Sequence, residues 1–423
     1  MDTYNLIAIV TTLTALLAFL NARFLKLPAA IGIMMLALVL SLALMLLSTL
    51  GVPLERGAEQ LLGAVDFDRT LMHGMLSYLL FAGALHVNVA DLRAQRVVII
   101  VLATVGVALS TLLVGLGAFG LFAWLGIGLP FLVCLTFGAL ISPTDPIAVL
   151  GILRKVGAPR SLETKITGES LFNDGVGVVI FLVLSQIAFD RAEPDAGKIA
   201  LLFVEEAGGG LVFGAALGAV GYGLLRQVDN YAVEVLITLA MVTGGYALAM
   251  HWHLSGPLAV VVAGLMIGNR GRRTAMSDTT RQNLDTFWEL IDEALNAILF
   301  MLIGLELIVI TFDFSYTLAG LIAIPLVLAI RFVCVSLPVV LMRARREFTP
   351  GVIRILTWGG LRGGISIALV LSLPAGGERD QLLTVTFLVV VFSILVQGLT
   401  VGRLITRSVV APGDAGGDRQ ARV

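Results

Sequence analysis

The chain has 423 residues, of which 58% are hydrophobic and only 13% are charged. Soluble domains carry about 25% charged residues, so this composition excludes a soluble globular protein, a disordered chain and a basic nucleic-acid-binding protein. The 28 basic and 29 acidic side chains nearly cancel, which leaves a formal net charge of -1. The positions of these few charges are therefore more informative than their sum, because a charge inside an apolar segment is costly.

Apolar segments recur along the whole chain, and a bilayer is crossed by a helix of about 20 such residues. They lack the ten-residue alternation of membrane strands, so the sequence predicts an all-α polytopic membrane protein. We expect thirteen transmembrane helices, at about residues 5–22, 28–50, 71–90, 97–125, 129–153, 163–189, 199–225, 231–250, 254–269, 283–312, 316–342, 350–374 and 380–406.

The basic residues indicate which loops face the cytoplasm. Of the 28 Lys and Arg residues, 21 fall in alternate loops and the C-terminal segment, five fall in the opposite loops and two lie inside spans. The N-terminus is therefore predicted to lie outside and the C-terminus in the cytoplasm. We expect residues 1–407 to form a single membrane domain, followed by a short cytoplasmic tail at 408–423.

The fifth predicted span departs from a regular helix. It contains Ser142-Pro143-Thr144-Asp145-Pro146, in which two prolines bracket a carboxylate in the middle of the span. Each proline removes a backbone donor and pushes the preceding residue away from helical geometry. The helix should open here, and open backbone at this depth is tolerated only where it lines a cavity or a binding site. The alternative is a simple proline kink, which leaves the acid between the prolines unexplained.

The twelfth span is interrupted in a different way, by four glycines around Arg362 at residues 359–364. Close packing through small residues would account for the glycines but not for the arginine. Spans five and twelve run in opposite directions, so spans one to six and eight to thirteen can form two inverted six-helix repeats joined by span seven. Interruptions at matching places in such repeats point to the midplane site of a secondary transporter.

The sixth span carries two carboxylates, Glu169 and Asp174, each of which costs several kcal/mol in a membrane helix. Ser170 and Asp174 are four residues apart and therefore share a helix face. Together with Asp145 and the carbonyl of Thr144, they would form a small cluster of hard oxygen ligands. Ligands of this kind suit Na⁺ or Li⁺.

The remaining charge in this span, Glu169, needs a cationic partner, and Arg331 in span eleven is the best available. For this pair we favour a structural ion pair. Asp174 is better explained as a functional group, because two intramembrane arginines cannot neutralise three carboxylates.

These motifs resemble the NhaP-type branch of the monovalent cation:proton antiporters, whose animal relatives are the Na⁺/H⁺ exchangers. The resemblance rests on residues 142–146, 168–174 and 359–364, with a weaker match at 81–85. It covers about residues 75–400. It implies a thirteen-helix fold in which two broken helices cross at the ion site, in the plasma membrane of a bacterium or archaeon.

The resemblance also implies two moving parts. A core, at about residues 97–189 and 316–406, would move against a scaffold, at about 5–90 and 231–312, through which the chain forms a homodimer. The matching positions receive the following roles: Asp174 binds the cation or the proton, Asn173 orients the site, Ser170 and the backbone of Thr144 supply further ligands of Na⁺ or Li⁺, Asp145 lies beside the ion, Glu169 pairs with Arg331, and Arg362 stabilises the other crossing helix.

The predicted function is secondary active exchange of Na⁺ or Li⁺ for H⁺ by competition for Asp174, with alternating access. By the same resemblance, Asn173 next to Asp174 implies an electroneutral exchange of one cation for one proton. A K⁺/H⁺ antiporter on the same site and a cation channel are the alternatives, although a channel would not need a titrating acid inside a broken helix. The sequence predicts no enzyme activity and no cofactor, and the absence of a Walker A sequence argues against ATP as a partner.

The expected partners are the transported ions, the lipid bilayer and a second copy of the chain, but no nucleic acid. Some charged residues remain without an assigned role. His86 stands near a position where some relatives have an acid, and Glu306 is most simply a solvated helix end. The acids of spans seven and ten would line either a cation funnel or a dimer interface: Glu205, Glu206, Glu289, Asp292 and Glu293.

Overall fold

The computed structural model describes residues 3–50, 74–155, 157–189, 197, 201, 204–310, 313–344 and 348–409. Within these ranges the chain is built from helices and contains no β-strand, only one isolated bridge between two extended segments. The predicted all-α fold class is therefore confirmed. The first residues of predicted span three and the predicted tail beyond residue 409 lie outside the described residues.

The N-terminal half of the described chain ends with the long helix that carries the span-six motif. Its helices are α1 (Thr3–Leu20), α2 (Ala29–Thr49), α3 (Leu76–Leu85), α4 (Val89–Val101), α5 (Val107–Trp124), α6 (Phe131–Ile141), α7 (Ile147–Lys155) and α8 (Arg160–Phe189). A π-helical turn at Leu102–Gly106 joins α4 to α5. The helical stretch begins at Val89, earlier than predicted span four, because the Asn88 side chain accepts a hydrogen bond from the backbone N–H of Ala90 and caps the helix.

The C-terminal half contains α9 (Gly209–Leu225), α10 (Tyr231–His251), α11 (Gly256–Met266), α12 (Asp278–Leu305), α13 (Phe314–Met342), α14 (Val352–Trp358), α15 (Gly364–Leu371), α16 (Gly377–Phe392) and α17 (Gly398–Val409). Polar caps mark several of these starts: the side chains of Asn230, Ser277 and Asp313 accept backbone hydrogen bonds at the first turns of α10, α12 and α13. A side-chain cap therefore fixes where each of these three helices begins.

Eight helical stretches in the described part of the chain are long and apolar enough to cross a membrane. They carry large apolar side chains on their outer surfaces, such as Trp124, Val212 and Phe314, which are mostly exposed in the isolated chain. A surface of this kind is expected of a protein whose solvent is lipid. The shorter helices include α6, α7, α14 and α15, which are the halves of the two interrupted spans.

The helices pack into two neighbouring groups. In one group α12 packs on α2 and α3. The fully buried Trp288 contacts Phe81, with ring centroids 4.8 Å apart and the rings tilted by 51°, and its indole N–H donates to Thr238 in α10. In the other group α6 packs between α5 and α8, and α13 packs against α14 and α16. The two interrupted spans meet inside the second group, and α12 reaches it through contacts with α15.

Candidate ion-binding site

The two interrupted spans cross at their breaks. Residues 142–146 separate α6 from α7, and residues 359–363 separate α14 from α15. In these breaks Asp145 and Leu361 form an antiparallel bridge, in which the backbone N–H of Asp145 donates to the carbonyl of Leu361 at 2.8 Å. The backbone groups in each break lack helical hydrogen bonds, and the two breaks thus satisfy some of these groups by bonding to each other.

The buried guanidinium of Arg362 holds the crossing together. Its Nη1 donates to the carbonyls of Ser142 at 2.5 Å and Pro143 at 2.8 Å, which are carbonyls that the proline break releases. The backbone N–H of Arg362 donates in turn to Ser393 Oγ at 2.8 Å. Arginine suits this position because its planar guanidinium presents several donors and retains its charge. Arg362 is therefore bonded to the opposite break through its side chain and to α16–α17 through its backbone.

Helix α8 lies against the break and binds it through two polar side chains. Asn173 Nδ2 donates to Thr144 Oγ1 at 2.8 Å, and Asn173 Oδ1 accepts from the Thr144 N–H at 3.3 Å. The hydroxyls of Ser170 and Thr144 are 3.1 Å apart. Because both ends of the Asn173 amide are used, this side chain fixes the orientation of Thr144.

Asp174 lies one turn from Ser170 and is only 7% exposed. Among the described residues its Oδ1 has no hydrogen-bond partner. The Asp174 carboxylate is repelled by the charge of Asp145 and attracted by that of Arg362. Asp145 is half-buried, and both carboxylates line one cavity of about 600 Å³ together with Ser170. The geometry therefore combines a poorly satisfied buried carboxylate with a route by which an ion can reach it.

Glu169 is also buried but faces a different part of the core. Its Oε1 is 2.6 Å from Nη1 of Arg331 in α13, and Arg331 Nη2 donates to the carbonyl of Leu356 in α14. Glu169 and Arg331 do not line the cavity that Asp145 and Asp174 share. This ion pair ties α8 to α13 next to the crossing and leaves Glu169 electrically balanced.

Glycines in the second break allow the charged side chains to approach the backbone. A Cβ at Gly363 would lie 2.7 Å from the Cβ of Asp145 and still closer to its carboxylate, and a Cβ at Gly360 would lie 2.7 Å from Nε of Arg331. Contacts this short require the neighbour to move. Two of the four glycines around Arg362, Gly360 and Gly363, therefore have a steric explanation, which is the close approach of Arg331 and Asp145 to the open backbone.

The cavity extends from the crossing to the first turns of α4 and α8, where Asn88, Asp91, Arg160 and Glu163 line its wall. His86 also lines it, with Nδ1 2.8 Å from the carbonyl of Ala82. Helix α12 supplies the opposite wall through the following residues: Glu289, Asp292, Glu293, Asn296 and Leu299. Sequence reasoning noted these acids but missed Asn296, although its spacing of four residues from Asp292 places both on one helix face.

The other acids singled out in the sequence lie elsewhere. Glu205 and Glu206 belong to the π-helical turn Val204–Gly208 before α9 and are not among the residues that line the cavity. The expectation that Glu306 is a solvated helix end is wrong, because its side chain is 5% exposed. Glu306 opens a 3-10 turn that packs against α2, so the end of α12 is covered by protein.

The fold and the site define a polytopic membrane transporter whose two interrupted helices cross at buried carboxylates. The family model for the transmembrane region of sodium/hydrogen exchangers matches residues 9–407, and the chain belongs to this family.

Individual relatives agree with this assignment. The chain is 50% identical over 408 residues to the Na⁺/H⁺ antiporter NhaP of Pseudomonas aeruginosa, covering 95% of this chain and 96% of the relative. It is 36% identical to the Na⁺/H⁺ antiporter NhaH of Halobacillus dabanensis, covering 91% and 93%. A solved structure of the sodium proton antiporter MjNhaP1 from Methanocaldococcus jannaschii at pH 8 has the same fold, with a TM-score of 0.73, 19% identity and coverage of 96% and 99%.

Replacement of Gly363 by alanine tests the close approach at the crossing. We expect Gly363→Ala to insert into the membrane but to lose most cation-dependent proton movement, because the new methyl group displaces the side chain of Asp145. The measurement is proton movement in vesicles at matched protein levels. Gly120→Ala is the control, because a Cβ at Gly120 meets no atom within 4 Å. Equal activity of the two variants would contradict this account of the glycine.

Removal of one partner of the buried ion pair tests its structural role. Arg331→Met should lower the free energy of unfolding by about 3–5 kcal/mol, because it leaves the Glu169 carboxylate buried without a counter-charge. The double variant Glu169→Gln/Arg331→Met should recover most of this loss. Thermal unfolding in detergent measures both effects. Arg281→Met breaks the exposed pair with Asp278, and it should cost at most about 1 kcal/mol.

Proposed function

We propose that the chain exchanges Na⁺ or Li⁺ for H⁺ as a secondary antiporter and that the two ions compete for Asp174. The observation that carries this proposal is a buried carboxylate with an unpartnered oxygen, among the described residues, beside the opened backbone at Thr144. Its relatives NhaP and NhaH are named Na⁺/H⁺ antiporters. A carboxylate in this position gains from binding either a proton or a metal cation, since each removes an uncompensated buried charge.

The cation ligands in this proposal are hard oxygens from the two elements that meet at the crossing. Asp174 supplies a carboxylate, Ser170 supplies a hydroxyl, and the backbone of Thr144 supplies a carbonyl. Asn173 orients the site, because its amide holds Thr144 through both the backbone N–H and the hydroxyl. Asp145 lies beside the ion and contributes negative charge. A set of neutral and anionic oxygens suits a small monovalent cation such as Na⁺ or Li⁺.

The charges around the crossing support an electroneutral exchange of one cation for one proton. Glu169 is balanced by Arg331, and the charges that act on Asp174 at the crossing are those of Asp145 and Arg362. One negative charge is then left over, and either one monovalent cation or one proton neutralises it. Both loaded forms carry the same charge when the core moves, whereas the empty site would carry a bare carboxylate through the apolar barrier.

The wider architecture that we propose has thirteen crossings, with two inverted repeats of six helices joined by the span that contains α9. The antiparallel bridge between Asp145 and Leu361 supports the opposite orientation of the two breaks. The core, from α4 to α8 and from α13 to α17, moves against a scaffold of α1–α3 and α10–α12, which forms the homodimer. With the N-terminus outside, the first turns of α4 and α8 are cytoplasmic, and the cavity opens inward.

The direct test of this function is Asp174→Asn, which keeps the size of the side chain but removes its charge and its proton. We expect the variant to insert normally and to show no cation-dependent proton movement in everted vesicles, whereas Asp278→Asn, at an exposed position, should remain active. NaCl, LiCl and KCl are added in turn to separate Na⁺ or Li⁺ exchange from K⁺ exchange. Retained exchange in Asp174→Asn would refute the assignment.

Competition for one carboxylate predicts a specific pH dependence. Where the empty site is protonated, the apparent KM for Na⁺ should rise about tenfold for each pH unit of acidification, because one proton must leave before one cation binds. Where the empty site is deprotonated, KM should be constant, and the maximal rate should not depend on this competition. Uptake of ²²Na⁺ into proteoliposomes, with equal pH on both sides, measures both quantities. A KM that does not change with pH would contradict the mechanism.

A further inference from the structure

Helix α12 presents an unusual polar face to the cavity. Glu289, Asp292 and Asn296 are spaced three and four residues apart, so they lie along one side of the helix, and all three line the cavity wall. Below them Leu299 packs against Gly364 at the start of α15, where a Cβ would be only 2.6 Å from the leucine. The polar face therefore ends where α12 contacts the crossing helices.

Asp292 is the central charge of this face. It is half-buried, and its carboxylate is repelled by Asp145 across the cavity and by Glu289 and Glu293 on its own helix. No described basic side chain offsets these repulsions at Asp292. The basic groups of the cavity wall, Arg160 and His86, belong to α8 and to the end of α3, not to α12. Two carboxylates that face each other in this way are stabilised by a cation between them.

Asn296 gives an independent indication of a ligand. Its side chain is only 5% exposed, yet within the described part of the chain neither its Oδ1 nor its Nδ2 has a hydrogen-bond partner. It lies one turn from Asp292 and approaches that carboxylate closely enough to stabilise its charge, although the geometry falls outside the usual limits of a hydrogen bond. A buried amide without partners is costly in a folded protein, and its position in the cavity wall gives it access to an ion or to the water around one.

We propose that Asp292 and Asn296 form a second cation-binding subsite on α12, which holds a monovalent cation before it passes to Asp174. The carboxylate of Asp292 and the amide oxygen of Asn296 are the protein ligands, and the cation keeps part of its water shell. Asp145 attracts the cation from the other side of the cavity. The cation therefore leaves the subsite, passes Asp145 and then binds at Asp174. The inference rests on the proposed antiport function and adds a step to it.

Equilibrium binding separates this subsite from the transport site. The purified full-length Asp174→Asn variant, inactive in exchange, should retain ²²Na⁺ binding at weaker affinity than the wild type. The double variant Asp174→Asn/Asp292→Asn should lose this residual binding, whereas Asp174→Asn/Glu289→Gln should keep it. Glu289→Gln is a matched control, because it removes the same charge from the same face one turn further from Asn296. Residual binding that survives in the Asp292 double variant would overturn the proposal, as would its absence from Asp174→Asn.

Exchange kinetics provide the second readout. Asp292→Asn and Asn296→Ala should each raise the apparent KM for Na⁺ about threefold or more at unchanged maximal rate, whereas Glu289→Gln should change it less than about twofold because exposed charges are screened. Asn296→Ala is the most informative variant, because it removes a proposed ligand without changing any charge. A rise in KM in this variant therefore cannot come from a change in the electrostatic potential of the cavity. Asn296→Ser provides the same test if the alanine variant folds poorly. If all these variants have the same KM as the wild type, the subsite proposal is overturned. If the wild type itself shows no exchange, the proposed function is refuted.

Discussion

Hydrogen bonds from Arg362 to the carbonyls of Ser142 and Pro143 make the crossing of the two interrupted helices possible. Open backbone in an apolar environment is tolerated only when its polar groups find partners, and each group left without one costs several kcal/mol. The prolines of the first break remove donors, and the arginine of the second break supplies donors to the same segment. Asp145 and Leu361 complete the exchange through their backbones. The positions of Thr144 and Asp145 in the first break depend on these hydrogen bonds.

The two buried arginines treat the neighbouring carboxylates differently. Arg331 is used by Glu169 and by a carbonyl of α14, so that pair is closed to the cavity. The Arg362 side chain donates hydrogen bonds to backbone carbonyls, and it acts on Asp174 through electrostatic attraction. A direct ion pair would hold the carboxylate permanently charged and occupied. An arginine bonded to carbonyls instead lowers the local negative potential and leaves an oxygen of Asp174 available to a proton or a cation.

The sequence was sufficient to locate the breaks and the polar motif of α8, because proline, glycine and charge are rare and costly in apolar spans. The family resemblance implied that the two breaks cross, but the register of the crossing could not be predicted, because it depends on which carbonyls Arg362 reaches in three dimensions. Asn296 was missed for a related reason: a single amide in a helix carries little signal until its burial is known. Glu306 was misjudged because a position near a predicted helix end does not reveal that α2 covers it.

Helix α12 carries more charge on one face than an isolated membrane helix tolerates. Three acids on its cavity-facing half, Glu289, Asp292 and Glu293, keep it out of the set of described helices that are apolar enough to cross a bilayer alone. Another face of α12 packs against α2, α3 and α10 through groups such as Trp288, so protein covers much of the helix. A helix that lipid does not have to solvate can keep charges that a lipid-facing helix cannot. Packing against neighbouring helices thus allows α12 to present a negatively charged wall to the carboxylates of the crossing.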